Sequence, residues 1–191
     1  QYLKQMQIDN QIWLEKREEQ YNVYLAPFYY AEIATAKKLL ELSQDYESEN
    51  SADIESAIKR VEQKTGVILA EQQKQAVIDA MTNGVLIITG GPGTGKTTTI
   101  NTIIQILKEE DYDIVLAAPT GRAAKRMTEA TGVEAQTIHR MLGINFINED
   151  KRKQTFDKNE QNPIDADVII IDESSMIDIA LMHSFLKAVS I

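Results

Sequence analysis

The stretch that most restricts what this chain can become is an apolar run, Val85-Leu86-Ile87-Ile88-Thr89, leading into Gly90-Gly91-Pro92-Gly93-Thr94-Gly95-Lys96-Thr97-Thr98-Thr99. Gly90, Gly95, Lys96 and Thr97 satisfy G-x-x-x-x-G-K-[ST], the phosphate-binding loop. The apolar run reads as a buried strand, the glycines as a tight turn and Lys96-Thr97 as the start of a helix. Glycine lets backbone N–H groups point inward where a side chain would block a polyphosphate. The unpaired N–H groups and positive dipole end of the following helix add to the same anion site. Gly91, Pro92, Gly93, Thr94, Gly95, Lys96, Thr97 and Thr98 are therefore expected around a nucleoside triphosphate. Lys96 is placed to reach the β- and γ-phosphates, and Thr97 to offer its hydroxyl to Mg²⁺.

From Val67 onward apolar strands alternate with periodic helices, the pattern of a parallel α/β sheet. A helix near Glu71–Met81 turns Ala76, Val77 and Ala80 inward. Gln73 stands one turn earlier on that face, where an amide needs partners: a purine edge near the phosphate loop or the local backbone. The phosphate-loop helix buries Ile100, Ile103, Ile104 and Leu107. A second strand, Ile114–Ala118, ends in Pro119-Thr120-Gly121. The next helix sets Ala123, Met127 and Ala130 on an apolar stripe and Arg122, Lys125 and Arg126 on another side. That basic side reads either as a solvated face or, because ligands bind beyond the carboxyl ends of parallel strands, as part of a site. Thr137 is a candidate cap for a helix carrying His139, a residue that alone reads as a structural hydrogen-bonder. Residues 148–165 read as a surface loop or small hairpin.

Val168-Ile169-Ile170-Ile171 then delivers Asp172-Glu173 to the carboxyl edge of the sheet, about 75 residues after the phosphate loop. Asp172 is placed to hold Mg²⁺ directly or through water, and Glu173 to act as general base on the water attacking the γ-phosphate. Met182, Phe185, Leu186 and Val189 are expected to close the chain as a helix packed on the sheet.

Ahead of this region, Ile12-Trp13-Leu14 and Val23-Tyr24-Leu25 read as hairpin strands joined by a polar connection, Glu15–Gln20. A helix after Pro27 is expected to bury Ile33, Ala36 and Leu40. Residues 43–51 are acidic and polar, a linker. Ile54, Ala57, Ile58 and Val61 fall at helical spacing, with Ser51 a possible cap and Gly66 a stop.

The chain carries 29 acids against 20 bases, a net charge of −9, which taken alone argues against a nucleic-acid protein. A local basic stripe is compatible with that total, so the charge weighs against nucleic acid without deciding. With no cysteine, disulfides and thiolate metal sites are excluded and a reducing cytosol is permitted. No apolar run approaches 18 residues, so no membrane span or membrane partner is expected, and no signal peptide is evident. A chain that opens on Gln1 and stops at Ile191 within an apolar helical pattern reads as part of something longer.

These residues together resemble the RecD-like DNA helicases of helicase superfamily 1, the 5′–3′ branch, also labelled exodeoxyribonuclease V alpha subunit. Leu69–Val77 looks like the family's Q motif, with Gln73 in the adenine-reading place. Thr89–Thr99 is similar to its motif I. Ala117–Ala124 with Thr137-Ile138-His139-Arg140 looks like the motif Ia region and the segment after it. Asp172–Asp178 resembles motif II, with Ser174 where Ala is more usual. The resemblance implies an incomplete RecA-like P-loop NTPase lobe over residues 67–191, a connecting helix over 48–66, and over 1–47 the end of a small helical, winged-hairpin accessory domain. It further implies a cytoplasmic ATP- and Mg²⁺-dependent helicase whose partners are single-stranded DNA and other recombination or repair proteins. The strand's phosphates would meet Pro119, Thr120, Arg122, Thr137 and His139. The second motor lobe, the motif III glutamine and an arginine finger would lie beyond Ile191, so this piece alone is expected to bind nucleotide weakly and hydrolyse it poorly. Three other readings share features with it: the helicase half of a conjugative relaxase, an AAA-type ATPase that remodels proteins, and a non-enzymatic nucleotide-binding module.

Overall fold

The structure is a computed structural model and describes residues 2–44, 51–145 and 155–190. In chain order its elements are α1 (Tyr2–Ile8), β1 (Ile12–Arg17), β2 (Gln20–Leu25), α2 (Ala26–Gln44), α3 (Ser51–Thr65), α4 (Glu71–Thr82), α5 (Lys96–Glu109) and β3 (Ile114–Ala118). They continue with α6 (Gly121–Thr131), β4 (Ala135–Thr137), α7 (Ile138–Met141), β5 (Ile144–Asn145), β6 (Thr155–Phe156), β7 (Val168–Ile171), a 3₁₀ turn (Ser174–Met176) and α8 (Ile179–Lys187).

The apolar strands form a sheet of order β4-β3-β7, every pair parallel. Side chains alternate across a strand, so each apolar strand supplies two cores. Ile114, Val168 and Ile170 turn to one face, where Ile54, Ile58 and Val61 of α3, Val77 and Met81 of α4, and Ile103, Ile106 and Leu107 of α5 form a buried cluster. Ala117, Ile169 and Ile171 turn to the other face, against Ile138, Met141 and Leu142 of the α7 region and Phe185 and Leu186 of α8. Helices on both faces of a parallel sheet are the α/β architecture that the sequence implies. The small antiparallel pair β5–β6 flanks it; the rest of the loop expected over 148–165 falls partly outside the described residues. So do residues 45–50 of the expected linker and the side chain of Ser51. No helix among the described residues is long and apolar enough to cross a membrane.

Three expectations need correction. Val85–Thr89 forms no strand. A strand exists only as part of a ladder, and among the described residues none pairs with this run. Ile88 packs against the α3–α4–α5 core, whereas Ile87 is 80% exposed. The hairpin is longer than expected, because most of Glu15–Gln20 lies within the strands: Glu15 pairs with Asn22 and Arg17 with Gln20. Its turn is tight, with Glu18 at φ 53°. Finally, α2 buries a different face. Ile33 and Leu40 are exposed, while Ala31 and Thr35 are buried and Leu39 and Leu42 reach the α8 core. The helix carries apolar groups nearly all round, so spacing alone could not select the inward stripe. Its first turn instead serves the hairpin, Tyr29 stacking on Trp13 with ring centroids 4.8 Å apart.

Gly66 ends α3 in the left-handed conformation (φ 71°). Just before it, the Glu62 carboxylate accepts the Leu69 N–H at 2.8 Å and lies 3.3 Å from Lys74 Nζ, tying α3 to the start of α4. That backbone hydrogen bond, helped by Lys74, holds the Glu62 carboxyl below the usual carboxylate range. A lowered native value means stability present above the unfolded value and lost as pH falls through the native one. Glu62→Gln is therefore expected to lower unfolding free energy at neutral pH. Its deficit against the parent chain should shrink once pH drops below about 4, the ordinary carboxylate range. Urea melts at several pH values measure this; a deficit that stays constant with pH would refute the tie.

Candidate nucleotide and metal site

The phosphate loop crosses from Gly90 to the first turn of α5. Gly93 (φ 77°) and Gly95 (φ 81°) both take left-handed backbone, which residues with a Cβ resist. Gly95 also caps α5 and accepts the Thr99 N–H at 3.0 Å. Thr94 Oγ1 donates to Gly91 O at 2.9 Å and closes the loop on itself. Gly91, Pro92, Gly93 and Thr94 are exposed, as is Thr97, while Lys96 and Thr98 are half-buried. Lys96 Nζ donates to Gly90 O and Gly91 O at 2.5 and 2.8 Å, so the ammonium lies over the loop it would serve.

Gln73 is not free. Its Oε1 accepts the Ala70 N–H at 2.9 Å, and its Nε2 donates to Thr94 O at 3.2 Å. The backbone alternative thus describes this state of the molecule, with the added feature that the amide spans from α4 to the phosphate loop. A Cβ on Gly95 would meet the Gln73 amide, which could swing aside, so it is the left-handed φ of 81° that calls for glycine there.

Asp172 and Glu173 follow β7 at the carboxyl edge, the edge from which α5 and α6 also begin. The Asp172 N–H donates to Ala117 O at 3.0 Å, extending the β3–β7 ladder by one bond. Asp172 Oδ1 accepts the Glu173 N–H at 2.9 Å. Glu173 is left-handed (φ 54°, ψ 36°), a conformation costing a non-glycine residue about 1–2 kcal/mol and one that clusters at functional positions. Nothing in the sequence signals that strain. Thr97 and Asp172 line one cavity of about 190 Å³, together with Arg126 and Thr131 of α6. The two candidate metal ligands, far apart in sequence, thus face one cavity. Among the described residues no three carboxylates, imidazoles or thiolates converge as a metal cage.

The third group of residues lies along the same edge. Parallel register sets Ala118 beside Thr137, so Pro119-Thr120 and Thr137-Ile138 leave adjacent strands side by side. Thr120 Oγ1 caps α6 by accepting the Ala123 N–H at 3.2 Å, and Thr137 Oγ1 caps α7 by accepting the Arg140 N–H at 3.1 Å. Arg122 is exposed. His139 is half-buried, its ring 6.0 Å from that of Phe156. Sequence reasoning grouped Arg126 with the basic face of α6. It missed that one turn beyond Arg122 the helix meets the cavity of Thr97 and Asp172. A larger cavity of about 540 Å³ opens at the opposite, amino edge, near Asp113 and Asp167. There Asp167 Oδ2 accepts the Asp113 N–H at 2.7 Å and joins two strand starts.

A parallel sheet, a phosphate loop opening a helix and an acidic pair ending a nearby strand define a P-loop nucleotide-binding lobe. A family model described as an AAA domain matches residues 73–190. Relatives include an ATP-dependent RecD2 DNA helicase of Deinococcus radiodurans, 39% identical over 121 residues, covering 63% of this chain and 16% of the relative. A RecBCD enzyme subunit RecD of Haemophilus influenzae is 34% identical over 178 residues, 81% of this chain and 26% of the relative. The RecD subunit of Buchnera aphidicola subsp. Schizaphis graminum is 32% identical over 189 residues, 88% and 30% respectively. The chain belongs to the AAA-domain family, and within it to the RecD-like helicases. It spans less than a third of the length of these curated relatives.

Proposed function

We propose that this chain supplies the first, ATP-binding motor lobe of a 5′–3′ DNA helicase, coupling hydrolysis to movement along single-stranded DNA. Residues 67–191 would form the lobe, 48–66 a helix built into its core, and 1–47 part of an accessory domain. The observation that carries the reading is the common edge: Lys96 and Thr97, Asp172 and Glu173, and the α6 and α7 starts all lie at the carboxyl ends of one sheet. Gly91 to Thr98 would wrap the polyphosphate, with Lys96 on its terminal groups and Gln73 exchanging its backbone bonds for the adenine. Thr97 and Asp172 would hold Mg²⁺, which neutralises phosphate charge, and Glu173 would take the proton of the attacking water. Pro119, Thr120 and Arg122, one strand from the end of β7, and Thr137 and His139, two strands from it, would meet the strand's phosphates.

The decisive experiment uses the full-length protein on duplexes with a 5′ or a 3′ single-stranded tail. ATP-dependent unwinding of the 5′-tailed duplex alone supports the reading, and unwinding of neither refutes it. Comparable ATP turnover by the 191-residue chain and the full-length protein would show that no further lobe is needed. A protein-remodelling ATPase would not bind single-stranded DNA in a salt-dependent way, and a relaxase would carry a nicking domain elsewhere in the full chain. Arg122→Ala is expected to weaken single-strand binding across sequences and flatten the log K against log salt slope by roughly 0.7, one phosphate contact. An unchanged slope would remove Arg122 from the interface.

A further inference from the structure

We propose that the sheet has a slot for one more parallel strand, between β7 and the run Val85–Thr89, and that the segment directly following Ile191 in the full-length chain fills it. The slot follows from the fold and not from the helicase reading. β7 bonds to β3 along one edge, and among the described residues no strand bonds to its other edge. Its four residues, Val168–Ile171, are only half-buried although helices pack on both faces. The run is unsatisfied in the same way. Among the described residues Val85–Thr89 forms no backbone hydrogen bond, and Leu86 and Ile87 are exposed. Yet Ile88 sits in the same α3–α4–α5 core as Val168 and Ile170. One core holds both backbones, and they do not pair.

Handedness selects the occupant. Crossovers between parallel strands of one sheet are almost always right-handed, so helices on one face carry the chain one way across the sheet and helices on the other face carry it back. Here α5 and α6 pack on the face of Ile114, Leu116 and Ile170, and α8 packs on the face of Ala117, Ile169 and Ile171. α6 leads from β3 to β4, away from β7. α5, on the same face, enters β3 by a step in that same direction, so Val85–Thr89 belongs on the β7 side, beyond β7. α8, on the opposite face, carries the chain outward from β7 toward the run. It also delivers the chain to the correct end. Ser190 lines the 540 Å³ cavity at the amino edge with Asp113 and Asp167, which directly precede β3 and β7. The Ala188 carbonyl accepts the Ile164 N–H at 2.8 Å and fixes that return. The relatives have chain to spare for the next strand, since the matched region covers 16% of one and 30% of another. Such a strand bonds to β7 on one side and to the run on the other, and so anchors the base of the phosphate loop to the sheet.

The test is hydrogen exchange, read by mass spectrometry, on the full-length protein. The amides of Val85–Thr89 should exchange at least about 100-fold more slowly than unstructured chain, as ladder amides do. About five consecutive amides within roughly a dozen residues after Ile191 should share that protection, the length of an ordinary strand after a short loop. A disulfide measurement separates an interposed strand from direct pairing of the run on β7. Interposition sets the two backbones about 9.6 Å apart and direct pairing about 4.8 Å, while a disulfide needs Cα atoms within roughly 7 Å. Ile88→Cys combined with Val168→Cys or with Ile170→Cys, other cysteines of the full chain replaced, should therefore stay unlinked under mild oxidant. Fast exchange at Val85–Thr89 overturns the slot. Slow exchange there beside a freely exchanging segment after Ile191 overturns the choice of occupant. Ready formation of either disulfide places the run directly on β7 and overturns the proposal as a whole. Should the cysteine variants fold poorly, exchange in the parent chain still decides.

Discussion

Glu173→Gln in the full-length protein is expected to cut DNA-stimulated ATP turnover by about 10²–10⁴-fold, the usual worth of a positioned general base, while ATP still binds. The amide keeps the size of the carboxylate but cannot accept the water's proton. The Glu173 N–H that donates to Asp172 Oδ1 belongs to the backbone and survives the change, so the metal ligand stays where it is. The variant should therefore trap ATP with Mg²⁺, visible as slow release of a fluorescent analogue. A second substitution separates the strain from the chemistry. Glu173→Gly also removes the base, but it relaxes a φ of 54° that glycine adopts freely. Left-handed strain of about 1–2 kcal/mol is offset in part by glycine's greater unfolded-state entropy. The expected result is a gain of up to about 1 kcal/mol in unfolding free energy in a protein that no longer turns over. Turnover of Glu173→Gln within tenfold of the parent would mean that another group activates the water.

How far the sequence could be read depended on whether a feature was local or needed a neighbour. The phosphate loop was legible because its glycines and lysine are consecutive and their backbone requirements are intrinsic. The β7 run was equally clear: four apolar residues in a row imply two buried faces, and Val168 and Ile170 do lie opposite Ile169 and Ile171. The cap at Thr137 was a short-range signal of the same kind. By contrast, Val85–Thr89 looks like β7 in composition yet has no ladder, since strand formation depends on a pairing partner that composition does not reveal. The inward face of α2 was unreadable because Ile33 and Leu40 are as apolar as Leu39 and Leu42, and only the position of α8 decides between them. Both the clasp of Gln73 on Thr94 O and the cavity that Thr97, Arg126 and Asp172 share join separate elements. No spacing rule along one helix reports such contacts.

Lys96→Ala is expected to weaken ATP binding by roughly 30–1,000-fold, about 2–4 kcal/mol, as when one partner of a desolvated charge pair is truncated. The structure explains why the loss should be specific. Lys96 Nζ has no carboxylate partner among the described residues and is held by two loop carbonyls, Gly90 O and Gly91 O. It is an ammonium satisfied by neutral acceptors, available to exchange them for phosphate oxygens at little cost. Removing it deletes two hydrogen bonds of the free loop, each worth about 1 kcal/mol at most in so exposed a place, so thermal stability should fall only slightly. Lys96→Arg should not restore binding, because a planar fork cannot reproduce a compact point charge against two converging carbonyls. The contrast between nucleotides is the sharper measurement. If Lys96 serves the terminal phosphates, Lys96→Ala must penalise ATP far more than AMP, whose single phosphate the backbone N–H groups of Gly93 to Lys96 can still hold. Equal losses for both would place the lysine on the α-phosphate or on the fold itself. An ATP dissociation constant within threefold of the parent's would remove the cation from the site altogether.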